Sequence, residues 1–95
     1  MEGTTVERRH IIFYGRVQGV GFRYKASYSA KSLGLTGWVK NEDDGTVVME
    51  VQGSKVLIKK LILNLCSDRY IRIEGMDNTQ IPLKANERGF GTRGY

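Results

Sequence analysis

The chain has 95 residues, 40% hydrophobic and 26% charged, with 15 lysines and arginines against 10 acidic residues, for a net charge of +5. That length predicts one domain over residues 1–95, able to fold without disulfide or metal staples because a chain of this size buries roughly 60% or more of its unfolded surface. The only cysteine, Cys66, excludes an intramolecular disulfide and any cluster of thiolate ligands, and no stretch approaches the ~20 apolar residues that span a bilayer.

The positive balance favours an anionic partner but does not choose among small phosphorylated compounds, nucleic acid and a membrane surface, and solvated surface lysines give the same balance. The first nine residues, Met1 to Arg9, lack the apolar core of a secretory signal, so a cytosolic location is expected. Residues 1–7 are polar and expected to fray.

The first strand falls at about residues 9–16. Its alternation puts Ile11, Phe13 and Val17 on one face and His10, Ile12 and Tyr14 on the other. His10, the only histidine, lies near the start of this strand, away from the loop that follows its end, and reads as a surface or packing residue rather than a base. Gly15 to Arg23 then runs Gly-Arg-Val-Gln-Gly-Val-Gly-Phe-Arg. Its three glycines, Gly15, Gly19 and Gly21, permit positive φ and close approach of backbone to a ligand. A turn of this kind entering a helix aims several N–H groups into one concavity that prefers an anion. Arg23, in the first helical turn, adds a planar charged fork able to grip two phosphate oxygens. No Gly-Lys-Ser/Thr follows, so this is not a Walker-type loop, and the glycine spacing is wrong for the dinucleotide fingerprint.

From Phe22 to about Leu33 the apolar positions Phe22, Ala26, Ala30 and Leu33 recur at helical spacing, with Gly34 as C-cap. Leu35–Asn41 and Thr46–Gln52 read as strands joined by the turn Glu42-Asp43-Asp44-Gly45, and Val47, Met49 and Val51 form the inward face of the second. The carboxylates at the hairpin tip point apart into water, and no metal site is assigned to them. Ser54 reads as an N-cap, followed by a helix whose apolar face carries Val56, Leu57, Leu61, Ile62 and Leu65 and packs on the sheet rather than on a membrane. A short strand, Tyr70 to Glu74, an irregular stretch from Gly75 to Pro82 and a last strand at about residues 84–93 complete the chain. The order β-α-β-β-α-β predicts a split βαβ α+β sandwich, with an antiparallel sheet carrying two helices on one face.

The glycine-rich stretch closely resembles the first signature of the acylphosphatase family, Gly-x-Val-Gln-Gly-Val-x-Phe-Arg. A second signature of that family is matched by Gly37-Trp38-Val39-Lys40-Asn41, Gly45, Val47 and Gly53. The resemblance covers roughly residues 8 to 93, tight up to Gly53 and looser beyond. Phe13 stands where the first signature has an aliphatic residue, and residues 66–82 and the glycine-rich end depart from the family pattern.

The resemblance implies the ferredoxin-like fold and hydrolysis of small acyl phosphates to carboxylate and inorganic phosphate, the latter also an inhibitor, with no cofactor and no metal. It makes Arg23 and Asn41 the catalytic pair. Arg23 would bind the phosphoryl oxygens, completed by the backbone of Gln18, Gly19, Val20, Gly21 and Phe22, and Asn41 would hold the attacking water. A monomer is expected, with neither membrane nor nucleic acid as partner. The chain has no nucleophile paired with a histidine and no paired acids, which suits an anhydride whose carboxylate leaves without protonation. The competing class is an RNA-binding module of the same fold, for which the nearest string is Arg88-Gly89-Phe90-Gly91. A third reading, a regulatory domain acting on a larger partner's carbamoyl phosphate, is disfavoured by the chain's length.

Overall fold

In the computed structural model, which describes residues 5–94, the chain runs β1 (Val6–Arg16), α1 (Phe22–Ser32), β2 (Thr36–Asn41), β3 (Val47–Ser54), α2 (Lys55–Cys66), β4 (Arg72–Ile81) and β5 (Phe90–Arg93). One sheet is formed in the order β4-β1-β3-β2-β5. β1 pairs antiparallel with β3 and β4, and β2 antiparallel with β3, so the split βαβ arrangement is present. The sheet is nevertheless mixed rather than wholly antiparallel, because β5 adds parallel to β2. The cause is the connection: β4 and β5 occupy opposite edges, and residues 82–89 carry the chain from one to the other.

The period of two in the strands decides the core. Ile11 and Phe13 of β1 stand opposite Met49 and Val47 of β3, and Val39 of β2 is also opposite Met49; all five are fully buried. They meet Phe22, Ala26 and Ala30 of α1 and Ile58, Leu61 and Leu65 of α2. Phe13 fits a position that is aliphatic in the signature by tilting against Phe22, with ring centroids 4.9 Å apart and planes at 57°.

Three stretches differ from the sequence reading. β1 begins at Val6, inside the segment expected to fray, while residues 1–4 of that segment lie outside the described residues. In α2 the buried positions are Ile58, Leu61 and Leu65, whereas Val56 is 50% exposed. At 100° per residue Val56 points about 140° away from Leu61, so the helix cannot bury both. Finally, β4 continues through the stretch from Gly75 to Ile81 that reads as irregular, and β5 starts only at Phe90. β4 is an edge strand held by β1 alone and largely exposed, so its polar sequence carries no alternation from which to read it.

Candidate active site

Because β3 lies between β1 and β2, the loop leaving β1 and the end of β2 emerge at the same end of the sheet. Phe13 and Asn41 face the same residue, Val47, from either side. After Arg16, Val17 turns into the core at 1% exposure, and the chain passes through Gln18 to Gly21 into α1. Gly21 is the N-cap of α1 in the left-handed region, with φ 80° and ψ 18°, and Gly19 has φ 72°. A Cβ at either would meet nothing within 4 Å, so glycine is required by backbone handedness and not by space.

The first helical hydrogen bond is donated by Lys25 N–H to the Gly21 carbonyl at 2.9 Å, which leaves the N–H groups of Phe22, Arg23 and Tyr24 without acceptors inside the helix. None of the backbone N–H groups of Gln18 to Gly21 donates to another described residue. The positive end of the helix therefore coincides with a turn rich in free donors.

This turn walls a cleft of about 220 Å³, also lined by the Arg23 and Asn41 side chains. No described carboxylate is ion-paired with Arg23, so its charge has no counter-ion within the described residues. Asn41, the last residue of β2, has a buried Oδ1 with no hydrogen-bond partner among the described residues. A buried acceptor left bare costs about 1–3 kcal/mol, which a water or ligand donor in the cleft would recover.

The structure brings Gly19, Gly21, Phe22, Arg23 and Asn41 into one cleft. Val20 is partly buried against the core, and Gln18 is used differently. The Gln18 amide Nε2 donates to the carbonyls of Glu42 at 2.7 Å and Thr46 at 2.9 Å, fastening the loop to the β2–β3 turn. Its side chain is a brace, and Gln18 does not line the cleft that holds Arg23 and Asn41. Within that turn Asp44 Oδ1 accepts from the Thr46 hydroxyl at 2.6 Å and the Thr46 N–H at 3.0 Å, and the hydroxyl bond chiefly holds the Asp44 carboxyl below its ordinary value. The acidic tip is thus structural.

His10 lies on the face of the sheet away from the helices, with Nδ1 2.8 Å from Glu50 Oε2. Phe90, the aromatic of the string that resembles an RNA-binding motif, is 5% exposed and packed in the core, so its ring is not displayed for stacking on a base.

The acylphosphatase family model matches residues 9–92. The chain belongs to the acylphosphatase family. The acylphosphatase of Geobacillus thermodenitrificans (strain NG80-2) is 40% identical over 86 residues, covering 90% of this chain and 92% of the relative. That of Geobacillus kaustophilus (strain HTA426) is 62% identical over 50 residues, 53% of either chain. Among solved structures, the crystal structure of acylphosphatase from Bacillus subtilis superposes with a TM-score of 0.83 at 29% identity, covering 93% of this chain and 98% of that one. The α+β ferredoxin-like architecture is therefore that of the acylphosphatases, and the cleft at the end of β1 and β2 sits within the matched residues.

Proposed function

We propose that this acylphosphatase hydrolyses small acyl phosphates without a metal ion, using Arg23 and Asn41. The observation that carries the reading is the meeting, in one cleft, of a guanidinium, a turn of N–H donors and the Asn41 Oδ1, none of which has a partner among the described residues outside the helix. The dianionic phosphoryl group occupies the turn, held by the N–H groups and the Arg23 fork. A water donates to Asn41 Oδ1 and directs a lone pair at phosphorus. The new O–P bond forms as the P–O bond to the acyl group breaks, and the carboxylate leaves with the bonding electron pair. One water proton stays on the new phosphate oxygen and the other passes to a phosphoryl oxygen, giving carboxylate and dihydrogen phosphate.

A carboxylate is a stable anion at neutral pH, so neither general acid nor Lewis acid is needed to expel it, and Arg23 supplies the cationic charge. Inorganic phosphate, which fits the same turn, is both product and competitive inhibitor. Cys66 is an exposed free thiol that suits a reducing compartment, which supports a cytosolic location.

The test is benzoyl phosphate hydrolysis in metal-free buffer, with and without a chelator, beside an alkyl phosphate monoester. The expected result is full activity with chelator and little turnover of the monoester, whose alkoxide needs a proton to leave. Activity lost on chelation, or comparable turnover of both substrates, overturns the mechanism.

A further inference from the structure

We infer that a second cleft, lined by Arg16, Arg69 and Tyr70, receives the acyl part of the substrate and favours acyl groups that carry their own negative charge. The inference rests on the proposed hydrolysis of acyl phosphates. This cleft, of about 380 Å³, shares Gly19 with the anion cleft and is also lined by Val20, but it is not lined by Asn41. A substrate whose phosphoryl group sits in the turn must send its acyl group away from the attacking water. This cleft borders the turn at Gly19 and Val20 and does not border the proposed water site.

Its chemistry is specific. Arg16 ends β1 directly opposite Arg72 of β4, and like charges placed opposite one another across strands destabilise a sheet. No described carboxylate is ion-paired with Arg16, Arg69 or Arg72; the nearby Asp68 faces Lys25 Nζ at 3.8 Å. The segment is also held in place. Tyr70 N–H donates to Asp68 Oδ1 at 2.8 Å, and the Arg69 guanidinium carbon lies 5.4 Å from the centre of the Tyr70 ring. A cation resting on a ring keeps its N–H edge free for an anion. A carboxylate or second phosphate on the acyl group would relieve the repulsion between Arg16 and Arg72 and neutralise Arg69.

The experiment compares benzoyl phosphate with its 3-carboxy and 4-carboxy derivatives, which differ only in the added charge. Wild-type protein should show the higher kcat/KM on the better carboxylated substrate, with the gap closing as salt is raised. Arg16→Gln and Arg69→Gln should each lower kcat/KM for that substrate roughly three- to fivefold, mainly through KM, as expected for exposed ion pairs. The same variants should stay within about twofold of wild type on benzoyl phosphate, and Arg69→Lys should keep part of the preference. Equal losses on all substrates, or no loss on any, overturn the subsite while leaving the hydrolase reading intact. A wild-type protein inactive on all three overturns both.

Discussion

Arg23 and Asn41 line the same cleft, yet the chemistry asks different things of them. In the proposed mechanism Arg23 is attracted to the phosphoryl group before and during reaction, so Arg23→Gln should weaken inhibition by phosphate and depress kcat. The combined loss should be about 2–5 kcal/mol in kcat/KM, the cost of removing one partner of a buried charge pair. Arg23→Lys should restore only part, since a point charge does not reproduce the fork. Asn41 is assigned to the water, so Asn41→Ala should lower kcat on the order of 100-fold while the inhibition constant for phosphate stays near wild type. A folded Asn41→Ala protein with normal kcat ends the water-holding role, and one that loses phosphate affinity as Arg23→Gln does would move Asn41 into the cradle. Gln18 tests the support behind them. Glu is nearly isosteric but, when ionised, cannot donate to the carbonyls of Glu42 and Thr46. Gln18→Glu should cost about 1–3 kcal/mol in urea unfolding at pH 7, and lower pH should return part of this as the carboxyl regains a proton. Arg23 and Asn41, the proposed catalytic pair, were marked in the sequence by signature spacing, and both line the one cleft. The bracing by the Gln18 side chain was not legible there, because its acceptors lie 24 and 28 residues away and exist only once the hairpin has docked.

Among the elements, those read correctly from sequence are the ones with one face in the core. β1, β2, β3 and α1 bury residues at a clear period, so Ile11, Phe13, Val47 and Met49 announce their strands. β4 and β5 are edge strands, and the pairing that makes Gly75 to Ile81 a strand comes from β1 rather than from its own side chains. Glycine also meant different things in different elements. Gly37 in β2 has φ 140°, and a Cβ there would sit 1.9 Å from the Glu50 carbonyl oxygen and 3.0 Å from Val51 Cα. Both are backbone atoms of the adjacent strand and cannot swing aside, so Gly37→Ala must push β2 away from β3. A loss of about 3 kcal/mol or more is expected, at the high end for a single substitution, read as a lower urea midpoint. Because β2 carries Asn41, any folded fraction should also lose kcat more than phosphate affinity. A Gly37→Ala protein as stable as wild type would mean that β2 and β3 pair less closely than described.

Across the whole molecule, the sheet has two working ends. Phe13, Val47 and Asn41 lie level at the end that holds the cleft, and Arg8, Gln52 and Thr36 lie level at the other, five residues or ~17 Å along β1. At that far end residues 82–89 strap one edge to the other. Gln52 Oε1 accepts from Lys84 N–H at 2.8 Å, and Gly37 N–H donates to the Gly89 carbonyl at 3.1 Å. The centre of the clasp is Arg8, 2% exposed, which donates to Glu87 Oε1 at 2.7 Å and Glu50 Oε1 at 3.2 Å. The bond from Arg8 chiefly holds the Glu87 carboxyl below its ordinary value of 4.5. Burial pushes the Glu50 carboxyl up, but hydrogen bonds from His10 and Arg8 outweigh it, and it too ends below 4.5. A carboxyl whose folded pKa is depressed stabilises the fold above its unfolded pKa, and that contribution is lost as pH falls through the folded value. Wild-type stability should therefore decline from about pH 4.5 downward. Glu87→Gln keeps an acceptor for Arg8 but removes the charge, so it should cost about 1–2 kcal/mol at pH 7 in urea unfolding. The gap between variant and wild type should close on acidification, because protonated Glu87 is then as neutral as the glutamine. Hydrolysis of benzoyl phosphate at pH 7 by the folded variant should stay within about twofold of wild type, since the clasp and the cleft are at opposite ends. A gap that does not narrow at all as pH falls below 4.5 would mean that packing of the strap, and not the charge on Glu87, holds the two edges together.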